Sequence, residues 1–322
     1  MLSPSSRTLL MLLSLLAGLD AQQFEGYSRP KPVDIRPNLM QGGGAEEAAM
    51  PVSPFPISDI DVDIPVSEMD RPDAVAVIVG VSRYAHKDVP RVDYATRDAM
   101  LMREYLLQTL GFHEENIIMA LDENATLAAF NRIFDGQLKN FVKAGISDVF
   151  VYYTGHGAPD LEDASAYFMP HDADPNYAAQ TGYSLSRFYT QLEQLQAKTV
   201  TVVIDACFSG ASAGGMLIKE ASPIFISVEN PAANLRNGSI LTSSSGDQIS
   251  SWHSEVGHGL FTYYFLKGLR GAADGDHDSQ VTTTELFAYI SENVPYLARR
   301  LFNREQTPQL MGGNLDQVLV KY

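Results

Sequence analysis

Cysteine and positive charge are both scarce in this sequence. Only one of the 322 residues is cysteine, so a disulfide within the chain is excluded. Lysine and arginine total 23 against 39 aspartates and glutamates, which gives a formal net charge of −16. A chain this acidic lacks the basic surface that nucleic acid or an anionic membrane would need. We therefore expect no nucleic-acid partner, whereas basic or neutral protein substrates remain open.

Long hydrophobic runs are also missing. An apolar run at residues 9–16 is interrupted only by Ser14, follows Arg7 and precedes small residues at 17, 18 and 21. This run is too short to span a bilayer and is typical of an export signal. We predict a signal peptide at residues 1–21, an exported protein and no stable membrane anchor. An uncleaved hydrophobic tail is the alternative.

Regular secondary structure is not expected in residues 22–72. Proline supplies no backbone N–H and stops both helices and inner strands, and this stretch also contains three consecutive glycines at 42–44. We predict an extended or disordered segment that serves as a pro-segment or a linker. Its prolines stand at positions 30, 32, 37, 51, 54, 56, 65 and 72.

From residue 73 to residue 322, apolar strand patterns alternate with helical ones. Strands rich in β-branched residues are separated by segments with helical spacing of apolar residues. This alternation predicts an α/β domain with a mostly parallel sheet and helices on both faces. The predicted strands cover residues 74–81, 117–121, 148–153, 199–205 and 239–242, and the helices 94–110, a segment from 126, 185–196, 259–269 and 283–302.

Two reactive side chains follow buried strands of the predicted sheet. The only cysteine, Cys207, comes after the strand Thr199 to Asp205, and His156 comes after the strand that begins at Asp148. Open parallel sheets place their chemistry at the carboxyl ends of the strands. A thiol beside an imidazole is the requirement for a cysteine nucleophile with a histidine base. We therefore predict a Cys207–His156 dyad, with no cofactor required for the chemistry.

The motifs Thr154-Gly155-His156-Gly157 and Asp205-Ala206-Cys207-Phe208-Ser209-Gly210 resemble those of the caspase superfamily, specifically its metacaspase and bacterial caspase-like branch. His156 and Cys207 are 51 residues apart, close to the roughly 50-residue separation found in caspases. The resemblance runs from about Asp73 to the C-terminus. It implies the caspase-hemoglobinase-like fold, a cysteine endopeptidase, and an oxyanion hole formed by the backbone N–H groups of Gly157 and Cys207.

The resemblance also implies which substrates are cleaved. Asp205, Asp98 and Thr154 stand at positions that line a pocket for a basic side chain in metacaspase-like relatives. Two carboxylates in a confined pocket bind arginine or lysine and repel an acidic side chain. We therefore predict cleavage after Arg or Lys. A solvated Asp98 paired with Arg97 or Arg103 is the alternative, and Trp252 either lines the groove or packs in the core.

An acidic loop near the C-terminus is a candidate calcium site. Its spacing matches an EF-hand loop, although Ser279 stands where the turn requires glycine. Calcium binding there should be weak for that reason, and a helix connection without metal is the alternative. The predicted ligands are Asp274, Asp276, Asp278, the Gln280 carbonyl and Glu285.

Two other functions compete with the peptidase. The stretch Gly210 to Gly214 fits the Gly-x-Ser-x-Gly elbow of α/β-hydrolases with Ser212 as nucleophile, but Ser212 lies five residues beyond the predicted strand end at Cys207. A non-enzymatic scaffold of the same fold, or a calcium-binding module, is the other alternative. The presence of both His156 and Cys207 disfavours it.

Overall fold

The computed structural model describes residues 55–160, 165–209, 211–212, 215–216, 235–246 and 248–322. The predicted signal peptide and residues 22–54 lie outside the described residues, as does the side chain of Ser212. The strands are β1 Val75–Gly80, β2 Ile117–Leu121, β3 Asp148–Thr154, β4 Gly157–Pro159, β5 Ala166–Phe168, β6 Tyr183–Ser184, β7 Thr199–Asp205, β8 Ala211–Ser212, β9 Gly215–Met216, β10 Gly238–Thr242, β11 Trp252–His253, β12 His258–Gly259, β13 Gln280–Thr282, β14 Gln309–Gly312 and β15 Val318–Lys321. The helices are α1 Ala95–Gln108, α2 Leu127–Phe130, α3 Leu138–Phe141, α4 Ala178–Thr181, α5 Leu185–Gln194, α6 Leu260–Lys267 and α7 Thr283–Phe302, with a π-helical stretch, Asn131–Gln137, joining α2 to α3.

A six-stranded sheet forms the centre of the fold, in the order β14-β10-β7-β3-β1-β2. All neighbours are parallel except β14, which runs antiparallel to β10. The central strands β1, β3 and β7 are buried along nearly their whole length. That burial agrees with their continuous apolar sequences, since an inner strand of a parallel sheet is covered on both faces.

Each face of the sheet carries its own hydrophobic core. Along β1, Val75, Val77 and Val79 face one core while Ala76 and Ile78 face the other, as the two-residue period of a strand requires. The first core is covered by residues of the α2–α3 region and α5, and the second by α1, α6 and α7. The predicted α/β fold with helices on both faces is confirmed.

The residues just before the predicted domain start at residue 73 pack against the domain. Residues 55–72 form no helix or strand, as their prolines require, but they are not a spacer. Ile60 is fully buried, and its carbonyl accepts a hydrogen bond of 3.0 Å from the Tyr105 hydroxyl. The Pro65 carbonyl accepts another hydrogen bond, of 2.6 Å, from the hydroxyl of Thr109, the residue that follows helix α1. Apolar burial and carbonyl acceptors fix this segment to the domain, although proline-rich composition predicted otherwise.

Among the described residues, none of the helices combines the length and the apolar character that crossing a membrane requires.

Candidate active site

The sheet brings His156 and Cys207 to the same edge. Strands β3 and β7 are neighbours, with Thr154 paired to Asp205, so the segments that follow them leave the sheet side by side. Both residues line one small cavity of about 20 Å³. Its lining also includes Tyr94, Asp98, Asp205, Ser250, Trp252 and Gly259.

His156 is held by a backbone carbonyl. Its Nε2 lies 2.7 Å from the Pro90 oxygen, and because a carbonyl only accepts, Nε2 must carry the proton. The other ring nitrogen, Nδ1, is then unprotonated and has the lone pair of a base. The ring also lies against Tyr84, 4.9 Å between centroids, whose hydroxyl accepts a 2.7 Å bond from the His156 N–H. Burial lowers the pKa of His156 to about 4, although the bond to Pro90 opposes that shift, so the ring is neutral at pH 7.

Pro90 is a member of the site that the sequence could not identify. It contributes through its backbone carbonyl, and any residue type has one. The sequence suggested a dyad without a third member; the structure adds an orienting group 66 positions before His156.

Cys207 is covered in this structure. It is 6% exposed, and the Ser250 N–H donates a hydrogen bond to its sulfur. Burial raises the pKa of the Cys207 thiol to about 11, although the Ser250 bonds oppose the rise. The sulfur is therefore a neutral thiol, and little of it is exposed.

Gly157, the predicted oxyanion donor, makes another bond in this conformation. Its N–H donates a 3.1 Å bond to the Cys207 carbonyl, so in this conformation it is not free to bind an oxyanion. A Cβ on Gly157 would lie 2.3 Å from the Phe208 ring. Glycine is required here because the His156 loop packs directly against the residue after the nucleophile.

The two predicted pocket aspartates do converge. A Cβ built on Gly259 would lie 2.5 Å from Asp205 Oδ2 and 3.1 Å from Asp98 Oδ2, so both carboxylates meet above this one glycine. Asp98 is 1% exposed, and Arg97 and Arg103 pair with other carboxylates, which makes the solvated alternative for Asp98 wrong.

Burial acts against the charge of both aspartates. Asp205 accepts from the Thr262 hydroxyl at 2.7 Å, and burial raises its pKa to about 6, with the negative charge of Asp98 adding to the shift. Burial also raises the pKa of Asp98, opposed by His258 and by a 2.9 Å bond from the Gly259 N–H. The pocket carboxylates are held close together at an energetic cost that a cation would relieve.

Thr154 does not line the cavity as predicted. It is the last residue of β3 and is 3% exposed, and its carbonyl accepts a 2.9 Å bond from the Val81 N–H. Thr154 therefore remains inside the sheet, below the residues that form the site.

A buried histidine bonds to one of the two aspartates that line the cavity. His258 Nδ1 lies 2.5 Å from Asp98 Oδ1, and its Nε2 lies 3.1 Å from Asp61 Oδ1. The bonds to these carboxylates raise the pKa of His258 to about 9 in spite of burial. No sequence pattern indicated this residue, because its partners are 160 and 197 positions away.

The acidic loop brings three of its predicted ligands together. Asp274, Asp276 and Asp278 each offer an oxygen within 4.8 Å of the others. Ser279 has a φ of +65°, the left-handed conformation expected from its position in the motif. Glu285 instead accepts from the Thr282 N–H and hydroxyl, in a capping box that begins α7.

Trp252 lies at the cavity, which agrees with the groove interpretation. The indole packs edge-to-face on Tyr94, 6.1 Å between centroids, and both residues line the cavity that holds Cys207.

Comparison with known proteins places this site in a family. The family model of the caspase domain matches residues 73–320. The solved structure of caspase-1 from Spodoptera frugiperda superposes with a TM-score of 0.55 at 14% identity, covering 80% of this chain and 93% of that one. Protein GSU0716 from Geobacter sulfurreducens superposes with a TM-score of 0.52 at 17% identity, covering 76% and 97%. The structure of pro-sf-caspase-1 gives 0.53 at 16% identity, covering 85% and 96%.

No curated protein matches the chain at the level of sequence. At these identities the solved structures establish the fold, and the family model establishes the relationship. The caspase model spans β3 and His156, β7 and Cys207, and the aspartates Asp98 and Asp205. This chain belongs to the caspase-domain family of cysteine peptidases.

Proposed function

We propose that this chain is a cysteine endopeptidase that hydrolyses the peptide bond after arginine or lysine, with Cys207 as nucleophile and His156 as general base. One observation carries the proposal: a single cavity is lined by the thiol, the imidazole and the two carboxylates Asp98 and Asp205. The first pair supports acyl transfer, and the second supports recognition of a basic side chain.

The dyad works from two neutral groups. The unprotonated Nδ1 of His156 takes the proton of the Cys207 thiol as the sulfur attacks the carbonyl carbon of the substrate. The resulting imidazolium then donates this proton to the leaving amine, and a thioester remains on Cys207. A water molecule, deprotonated by the same imidazole, releases the acid product and restores the thiol. The Pro90 carbonyl stabilises the imidazolium in each half-reaction, because it accepts from Nε2–H.

The described conformation is a resting one in this proposal. A cavity of about 20 Å³ holds little more than a water molecule and cannot admit an arginine side chain. Ser250, which covers the sulfur, has to withdraw before a substrate binds. The Gly157 N–H becomes an oxyanion donor only if it leaves the Cys207 carbonyl.

A panel of fluorogenic peptides that differ only in the residue before the scissile bond tests this function. We expect cleavage after Arg and Lys, and little after citrulline, Gln or Asp. Asp205→Asn should lower kcat/KM for the Arg peptide by roughly ten- to a hundredfold, as loss of a charged hydrogen bond predicts, with little change for citrulline. Preferential cleavage after Asp would refute the acidic pocket, and a wild type that cleaves none of the peptides would favour a scaffold function.

We also propose weak calcium binding at Asp274, Asp276 and Asp278, supported by the approach of their oxygens. For an exported protein, as the N-terminal residues predict, the Kd for calcium should lie in the range of extracellular modules, about 10⁻⁴ to 10⁻³ M. Calcium at that level should raise the melting temperature of the wild type by a few degrees, and Asp276→Ala with Asp278→Ala should remove the shift. An equal shift in the double mutant would place the ion elsewhere.

A further inference from the structure

A carboxylate from outside the matched caspase domain contacts His258, the histidine that is bonded to Asp98. Asp61 lies in the segment that precedes residue 73, where the family match begins. The neighbouring Ile60 is fully buried, which fixes this part of the chain in place. The Asp61 carboxylate accepts from the Ser58 N–H at 2.7 Å and from Arg97 at 2.8 Å, and it faces His258.

The geometry around His258 requires an imidazolium. The side chain is fully buried, and each ring nitrogen faces a carboxylate, Asp98 on one side and Asp61 on the other. A neutral imidazole donates from only one nitrogen, so one carboxylate would face an unprotonated nitrogen. The cation donates to both.

The charged side chains around His258 do not cancel, and one negative charge among them has no positive partner. Asp61, Asp98 and Asp205 supply three negative charges, while Arg97 and His258 supply two positive ones, for a net charge of −1. Asp61 and Asp98 are already bonded to cations. Asp205 accepts from Thr262, and among the described residues it forms no ion pair.

We propose that Asp61 is a positioning residue of the specificity pocket: it keeps His258 cationic against Asp98, so that the cavity holds one net negative charge, the complement of a single arginine or lysine side chain. This inference rests on the proposed preference for basic residues. Asp61 touches no substrate and acts through His258.

Asp61→Asn separates this role from a structural one. The substitution preserves shape but removes the charge that holds the second proton on His258. Below the new pKa of His258 the variant pocket is neutral overall and binds a cation poorly. Above that pKa the imidazole is neutral, and the net charge of −1 returns. The ratio of KM for the Arg peptide, variant over wild type, should be about three to ten at pH 6.5 and should approach one by pH 8, where His258 of the wild type is still cationic, with kcat little changed.

Several other charged groups lie near His258 or its neighbours. None of them would produce the same pH dependence of the KM ratio. Taking the ratio to wild type at each pH cancels the titration of Asp205, which both proteins share. Burial lowers the pKa of His253, which moves its titration away from the alkaline range in which His258 loses its proton. The charged groups around His258 are Asp61, Asp98, Arg97, Asp205 and, beside His253, Glu255 and Lys267.

Asp59→Asn is the matched control. Asp59 belongs to the same segment and forms an ion pair of 3.0 Å with Lys267, whereas the ion pairs of His258 among the described residues are with Asp61 and Asp98. Loss of this ion pair should leave the ratio of KM for the Arg peptide, variant over wild type, near one at every pH. Equal KM ratios for the Asp59 and Asp61 variants would mean that Asp61 only anchors its segment to the domain, and this result would overturn the inference. A wild type without preference for Arg or Lys would instead defeat the proposed function.

Nitrogen NMR of the imidazole in a Cys207→Ala background checks the inference without turnover and without relying on the Asp61 variant. Both His258 nitrogens should carry protons at pH 7.5, and in the Asp61→Asn protein one should lose its proton at a lower pH than in the parent. A neutral His258 at pH 7.5 in the parent would contradict the proposal.

Discussion

Two buried histidines, one lining the cavity and the other bonded to an aspartate that lines it, have opposite charge states. His156 is 3% exposed and His258 is fully buried, so desolvation disfavours the cation in both. The first faces a carbonyl and has a pKa lowered to about 4; the second faces carboxylates and has a pKa raised to about 9. Burial therefore makes a positive charge unfavourable on both rings, and the hydrogen-bond partner of each ring decides whether the charge is present.

The difference divides the cavity into two functional halves. The half with Cys207 and His156 is neutral, and in the proposed mechanism a proton passes from sulfur to nitrogen without an ion pair having to be broken first. The half with Asp98, Asp205 and His258 is ionic, and its charges are matched except for one. The proposed chemistry and the proposed recognition thus use opposite electrostatic conditions within one site.

Replacing one histidine from each half gives the largest contrast. His156→Ala removes the base and should lower kcat for every cleaved peptide by at least about a thousandfold, and Cys207→Ala should abolish turnover. His258→Gln should change KM for basic peptides far more than kcat. Peptidase assays on folded variants measure both.

Ser212→Ala serves as the control for the hydrolase alternative. Ser212 lies in β8, which pairs with β9 in a short antiparallel ribbon rather than on a strand-to-helix turn. This variant should keep wild-type activity. Turnover by a folded Cys207→Ala protein, lost in the Ser212 variant, would reverse the assignment.

The neutral half can be tested by alkylation. A rise in the thiol pKa from 9.0 to about 11 lowers the thiolate fraction about a hundredfold near neutral pH, and the Ser250 cover slows reaction further. Iodoacetamide at pH 7.5 should therefore label the folded protein at least about a hundredfold more slowly than the urea-unfolded chain. Because Cys207 is the only cysteine, the label reports this site alone. Equal rates would show an exposed, reactive sulfur.

The ionic half has a pH signature in stability. His258 has a folded pKa of about 9, above its ordinary 6.5, so its contribution is fully present below pH 6.5 and is lost as pH rises through 9. The free energy of unfolding should fall by roughly 2–3 kcal/mol between pH 6.5 and 9.5. His258→Gln should remove this drop, whereas His253→Gln should retain it. Urea titrations at both pH values measure the change.

The sequence predicted the neutral half better than the ionic one. Cys207 and His156 each follow a strand, and strands in one parallel sheet end at one edge, so their approach could be inferred. Asp98 and Asp205 were inferred from the family resemblance. Pro90 acts through a backbone carbonyl, and Asp61 lies in a proline-rich stretch that composition assigned to a spacer. Neither residue type nor local spacing carries information about such partners.

Covalent trapping tests the central claim most directly. Peptidyl acyloxymethyl ketones with Arg or Asp before the ketone, incubated with the wild type and mapped by mass spectrometry, report the nucleophile and the specificity together. The account predicts a single adduct on Cys207 with the Arg reagent, much slower labelling with the Asp reagent, and no adduct in His156→Ala within the same time. An adduct on another residue, or equal labelling by the Asp reagent, would contradict it.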